Sequence, residues 1–234
     1  QRSFLATKEL LDENLKNYFV LFKPKDIVSG DFYWSAKLSN SNFALVTADS
    51  TGHGVPGALL TMLAYNTINK AVIEKEIMDP TAILDSMNTE VKSALKQNKN
   101  NPIQDSMEVG IVCLNTLTNE IKYAGANTSL TYIQNGELKI AAAGKCSVGS
   151  VQDGNIMLPT THTVKLNTGD CFYLYSDGFA DQFGGPKGKK YKYKQLEELL
   201  KSNSQKTPSQ QKELLNESFE NWKGKLEQVD DVTV

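Results

Sequence analysis

The chain is expected to fold as an α+β protein, a central antiparallel β-sandwich flanked by α-helices in the layer order α-β-β-α. Three observations predict this. Apolar segments of strand length dominate residues 107–174, two helical patterns follow one another after residue 54, and a helix and then a strand return at the C-terminal end. With 234 residues and 40% hydrophobic content, the chain can bury one large core, and it shows neither an internal repeat nor a low-complexity tract.

Residues 7–17 carry Leu10, Leu11 and Leu15 at helical spacing, and the run YFVLF at 18–22 then has the unbroken apolar texture of a buried strand. Residues 32–36 and 43–48 read as two further strands joined by the polar turn LSNSN. After the glycine-rich GHGVPG, residues 58–74 have helical spacing, and Asp79-Pro80 caps and opens a second helix that reaches about residue 97. MEVGIVCLN, EIKYAGA, LTYIQ, ELKIA, THTVKL and CFYLY then read as strands, with Asn135-Gly136 as a hairpin turn between the third and fourth. Beyond Asp177 the chain is polar through GGPKGKKYKY. Thr207-Pro208 opens a last helix to about residue 222, before a terminal strand at DDVTV.

A net charge of −2, from 25 basic and 27 acidic residues, gives no bulk attraction to nucleic acid or to an anionic membrane. Cys113, Cys146 and Cys171 show neither a zinc spacing nor a disulfide framework, so a reducing cytoplasm is the expected setting. No apolar run approaches the roughly 20 residues that span a bilayer, so this segment is not expected to insert into a membrane. The chain opens without methionine inside a helical pattern and ends in a strand pattern, which predicts a segment of a longer protein. Arg2 is the sole arginine, which all but excludes bidentate guanidinium clamping of phosphate.

Carboxylates stand at the ends of apolar strands: Asp49 after FALVTA, Asp177 after CFYLYS, and Asp230-Asp231 before the last strand, while Asp31 begins another. A carboxylate beside a buried run is costly unless compensated, and several brought together repel until cations join them. An oxygen-only set with few imidazoles and no cysteine fits magnesium or manganese rather than zinc. An aspartate at a strand end is in other settings a turn former or a helix cap. Here Asp31, Asp49 and Asp177 each sit among glycine and small polar residues, in SGDFYW, ADSTGHG and SDGF, where backbone approaches an ion or a phosphate closely.

SGDFYW, ADSTGHGVPGALLTM, YAGAN, YSDGFADQFG and DDVTV, in that order, resemble the metal-dependent PPM (type 2C) serine/threonine protein phosphatases, and more narrowly their bacterial SpoIIE-like branch. The resemblance begins at about residue 18, which makes residues 1–17 a linker helix from an upstream region and 18–234 the catalytic domain. It implies two Mn2+ or Mg2+ ions at one edge of the sandwich, between the sheets. Asp49 matches the aspartate that bridges both ions, and Ser50 the neighbour that offers its backbone carbonyl. Asp177 and Asp230 match carboxylates that complete one ion's shell. Asp31 matches an early aspartate that acts on the ions through water, and Asp231 stands beside Asp230 as a further candidate ligand.

The implied reaction is hydrolysis of phosphoserine or phosphothreonine on a partner protein by a water that the two ions activate, with no covalent phosphoenzyme. The implied substrate is a phosphorylated regulatory antagonist, of the kind that controls an anti-sigma factor, in a bacterial signalling switch. The alternative is a catalytically silent module of the same fold that only captures the phosphoprotein. By the same analogy the N-terminal helix joins two copies into a homodimer.

Cys113 and Cys171 lie in apolar β segments, the setting of structural thiols. His53, four residues after Asp49, either donates a proton or holds its loop by hydrogen bonds. Type 2C enzymes of the eukaryotic kind carry their acid histidine two residues after that aspartate, where Thr51 stands here. His162 is expected on a strand surface. For phosphate, eukaryotic relatives use an arginine near the start of the fold; the nearest cations here are Lys23 and Lys25, which as edge-strand lysines would face solvent. Lys187, Lys189, Lys190, Lys192 and Lys194 are expected in a solvated loop able to steer an acidic phosphoprotein. The apolar residues of GVPGALLTM are expected to pack in the core, and the family implies that movement of this helix pair adjusts Asp49.

Overall fold

The computed structural model describes residues 1–39, 41–96, 105–150 and 159–234; the helix end expected near residue 97 lies outside them. In chain order the elements are α1 (Lys8–Asn14), β1 (Phe22–Lys23), β2 (Asp31–Lys37), β3 (Asn42–Ser50), α2 (Gly54–Asn69), α3 (Pro80–Ala94), β4 (Met107–Asn115) and β5 (Glu120–Ala126). There follow β6 (Leu130–Gln134), β7 (Glu137–Ala141), β8 (His162–Lys165), β9 (Cys171–Tyr173), α4 (Gly178–Asp181), β10 (Phe183–Gly184), β11 (Lys189–Lys190), α5 (Tyr193–Asn203), α6 (Pro208–Lys223) and β12 (Val232–Thr233).

Local chemistry sets several boundaries. The Asp79 side chain accepts the Ala82 N–H at 3.0 Å, with Pro80 at the first helical position of α3. Thr207 and Gln210 form a reciprocal capping box at α6. Asn135 and Gly136 have φ of 53° and 77°, the left-handed pair that a two-residue hairpin needs between β6 and β7.

Alternation along the strands then builds four layers. The larger antiparallel sheet runs β2-β3-β4-β5-β8 and the smaller β7-β6-β9. One face of the larger sheet, with Phe32, Val46 and Ile111, packs under Leu60, Ile68, Ile83 and Met87 of α2 and α3. Its other face meets the smaller sheet through Val112, Ile121 and Tyr123 against Leu130 and Ala141. The outer face of the smaller sheet, with Ile133 and Tyr173, carries Phe179, Leu196, Leu200, Leu215 and Phe219 of α4, α5 and α6. Each large apolar side chain so buried contributes about 1.5–3 kcal/mol. No described helix is long and apolar enough to cross a membrane.

Several expected elements differ. Of YFVLF, only Phe22 belongs to a ladder, in β1, which pairs with β12; Leu21 and Val234 also exchange backbone bonds of 2.9 Å. Strand formation there depends on a partner some 200 residues away, which a local apolar run cannot reveal. The first helix is shorter than expected, Lys8–Asn14. The basic stretch is not one solvated loop: it forms the β10–β11 hairpin and the start of α5, and Lys190 pairs with Asp181 at 2.7 Å. Helix α5 itself was not expected; Leu196, Leu199 and Leu200 mark its buried stripe, but the flanking lysines mask it. In α2, Leu60, Ala64 and Ile68 face the sheet, whereas Val55 (67%), Leu59 (63%) and Met62 (44%) are exposed rather than in the core. That helix is apolar on more than one side, so periodicity could not orient it.

Candidate metal centre

Antiparallel register assembles the site. Asp31 opens β2 and pairs directly with Asp49 at the end of β3, and Asp49 pairs with Glu108 at the start of β4. Directly opposed residues share a face, so three carboxylates stand in a row across one end of the sheet, an arrangement that repulsion disfavours. Two loops add more at the same end: Ser176-Asp177 after β9 and Asp230-Asp231 before β12, joined by a 3.0 Å bond from the Ser176 N–H to the Thr233 carbonyl.

Burial and mutual repulsion decide the protonation of this group. Burial raises Asp49 to about 10, reinforced by Asp31, Asp177, Asp230 and Glu108; the four charges acting most strongly on it are all carboxylates. Asp177 rises to about 6 through burial and then Asp230, against a hydrogen bond with Asp49 that lowers it. Asp31, only 1% exposed, rises to about 7 mainly through burial, although its Oδ2 accepts hydroxyl bonds from Ser176 at 2.6 Å and Thr233 at 2.7 Å. Burial also pushes Glu108 upward, while the Asn127 amide, donating at 3.2 Å, pulls it back. Among the described residues, no three carboxylate, imidazole or thiol groups converge on one point at ligand distance. The donor set nevertheless suits hard divalent cations: partly or fully buried carboxylate oxygens in one another's field.

Asp231 is placed differently. Its Oδ1 accepts the Lys25 N–H and its Oδ2 the Gly30 N–H, both at 2.7 Å, so both oxygens hold the segment that enters β2. That segment is also tied to the loop after Asp49. The Ser50 N–H donates to the Gly30 carbonyl, and the buried Thr61 hydroxyl of α2 lies 3.2, 3.0 and 3.1 Å from the Ser29, Gly30 and Gly57 carbonyls. Such close passage of three backbones requires glycine. A Cβ on Gly57 would collide with the Gly52 carbonyl oxygen and lie 2.8 Å from Gly30 Cα. Gly57→Ala is accordingly expected to destabilise the fold by roughly 2–4 kcal/mol, read as a fall in thermal midpoint; an unchanged midpoint would show that the crossing can relax.

His53 sits before α2 with both ring nitrogens engaged, Nδ1 with Asp26 Oδ2 at 2.8 Å and Nε2 with Lys25 Nζ at 2.9 Å. Thr51 is pinned to Ser106, its N–H and hydroxyl each donating to the Ser106 carbonyl at 2.9 Å. Of the two candidate phosphate lysines, Lys23 is committed to Asn216 and Glu220, at 2.8 and 2.7 Å. Lys25 Nζ instead donates to the carbonyl of Val229, the residue before Asp230. Cys113 is buried, which pushes its thiol up to about 12, and the half-buried Cys171 is raised for the same reason; both behave as structural thiols.

Glu108 is the site residue that the sequence did not single out. It occupies an outward position in the alternating MEVGIV, and only pairing of β4 with β3 brings it beside Asp49. Ser176 and Thr233, which clamp Asp31, lie inside YSDGF and DDVTV but carried no signal of their own.

Comparison with known proteins agrees with this architecture. The family model described as stage II sporulation protein E (SpoIIE) matches residues 39–234. Among solved structures, the SiaA-PP2C domain of Pseudomonas aeruginosa is 30% identical with a TM-score of 0.88, covering 99% of this chain and 89% of that one. The PP2C phosphatase domain of SpoIIE from Bacillus subtilis, solved with a fragment of its regulatory domain, is 17% identical with a TM-score of 0.72; the match covers 93% of this chain and 59% of that one. RsbX, solved in complex with magnesium, is 16% identical with a TM-score of 0.58, covering 92% and 90%. Among curated proteins, none matches this sequence. With five ordered motifs, a four-layer sandwich and a row of carboxylates at one end of it, the chain belongs to the SpoIIE family and is a PP2C-type serine/threonine protein phosphatase domain.

Proposed function

We propose that this domain removes phosphate from phosphoserine or phosphothreonine on a regulatory partner protein, an antagonist in a bacterial signalling switch, with two Mn2+ or Mg2+ ions as cofactors. The observation that carries the reading is Asp49, partly buried, with carboxylates as the charges acting most strongly on it, so that it is ionised near neutral pH only if cations join the group. Asp49, Asp177 and Asp230 are the proposed ligands, with the Ser50 carbonyl beside them and Asp31 acting behind them. Divalent ions, when bound, supply Lewis-acid polarisation of water and neutralise charge on the phosphoryl group.

The chain's own residues do the positioning. Ser176 and Thr233 hold Asp31 by two hydroxyl donors, and Asp231 fixes the entry to β2 through two backbone N–H groups. Lys25 places an ammonium at the rim, between His53 and the Val229 carbonyl, where it can meet a phosphate oxygen. The test is turnover of an aryl phosphate and of a phosphothreonine peptide with Mn2+, Mg2+ or EDTA. Turnover with a metal and none in EDTA is the expected result. A domain that binds manganese in calorimetry but turns over neither substrate would favour the silent phosphoprotein-binding module.

A further inference from the structure

Beside the carboxylate row, between the mouth of the sandwich and α5, lies a cavity of about 280 Å3. Glu108, Asp177 and Glu197 supply its charge, Tyr175 and Tyr193 its aromatic wall, and Ile140 an apolar rim. The two rings lie 6.3 Å apart and are tilted by 35°. The Tyr175 hydroxyl is anchored 2.7 Å from that of Thr131, so the wall is fixed from behind. None of the described residues lining the cavity is a lysine or an arginine.

Asp177 belongs to the proposed ligand set and Glu108 already accepts from Asn127, but Glu197 forms no ion pair with a described cation. Burial raises its carboxyl, and burial together with Asp177 and Glu108 raises the Tyr193 phenol. The cavity is thus a half-desolvated acidic pocket with aromatic sides. Such a pocket suits a guest with an apolar stem and a cationic head, which packs along the rings and ends among the carboxylates.

We propose that this cavity receives a lysine or arginine side chain of the substrate protein close to the phosphorylated residue, with Glu197 as its charge partner. The inference rests on the phosphatase reading above. Since Asp177 borders both the cavity and the carboxylate cluster, a side chain entering the one hangs on the same polypeptide segment as a phosphate at the other.

The test measures kcat and KM with Mn2+ for phosphothreonine peptides carrying lysine, alanine or glutamate in turn at each position around the phosphothreonine. Wild type, Glu197→Gln and Glu197→Lys are compared, with aryl phosphate as a substrate too small to reach the cavity. Wild type is expected to prefer lysine at one flanking position by about tenfold over alanine, mostly in KM. Glu197→Gln should bring that ratio to about one, and Glu197→Lys should prefer glutamate, a reversal that misfolding cannot produce. Wild type that hydrolyses aryl phosphate but treats the three peptide series alike would overturn this inference alone, as would a lysine preference that survives in both variants. Absence of aryl phosphate turnover in wild type would remove the phosphatase reading and this inference with it.

Discussion

Asp49→Asn is expected to lower metal-dependent phosphate hydrolysis by at least about 10^3-fold and, in the same protein, to raise thermal stability measured in EDTA. The two effects share one cause. Asp49 is partly buried, opposed across the sheet by Asp31 and Glu108, and further repelled by Asp177 and Asp230. Asparagine keeps the shape and needs no proton to stay neutral, so about 1–3 kcal/mol of the cost of holding a protonated carboxyl in this cluster should be relieved while the proposed principal ligand is lost. For a chain of this size that corresponds to a rise of roughly 3–10 °C. Calorimetry with and without Mn2+, alongside aryl phosphate kinetics, reads both arms. A variant that is inactive and also less stable in EDTA would mean that Asp49 serves folding instead. Unimpaired turnover would remove it from the site altogether.

Without metal, stability should fall as pH rises, and Mn2+ or Mg2+ should cancel the fall. Asp177, Asp31 and Asp49 titrate in the folded chain at about 6, 7 and 10, all above the ordinary carboxylate value of 3.8. Between those limits the folded state holds more protons than the unfolded one. Its stability is therefore complete below the unfolded pKa and drains away as pH climbs through the folded values. In EDTA a drop in midpoint on the order of 5–10 °C is expected between about pH 5 and pH 8. Saturating metal, bound by the folded state alone, should raise the midpoint most at the alkaline end, where the carboxylates are free to ligate. A midpoint in EDTA that rises with pH would contradict the assigned burial of the cluster, and one indifferent to metal at every pH would contradict its role as a cation site.

Much of this was legible in the chain itself. MEVGIVCLN, EIKYAGA and LTYIQ form β4, β5 and β6 at the expected residues, because alternation, turn chemistry and β-branched content act over a few positions. Asp79-Pro80 and Thr207-Pro208 start helices for the same local reason. Elements whose existence depends on distant partners were harder to read. YFVLF contributes to strand pairing through DDVTV, and α5 hides its leucine stripe within a lysine-rich context. The exposed Val55, Leu59 and Met62 lie on a helix apolar on several sides, whose orientation only docking on the sheet decides.

By itself the sequence determined which side chains are available: strand-end aspartates among glycines, a single arginine, no zinc spacing, and the capping and turn residues that set the element boundaries. The tertiary structure alone decided their company. Asp31 meets Asp49 across a hairpin, Glu108 joins them from 59 residues further along, and Asp230 returns from the far end of the chain. It also divided the two neighbouring aspartates, leaving Asp230 at the cluster and spending Asp231 on two backbone N–H groups. Register and docking are set by packing summed over the whole core, so the repulsion that calls for cations exists only once the sandwich has closed.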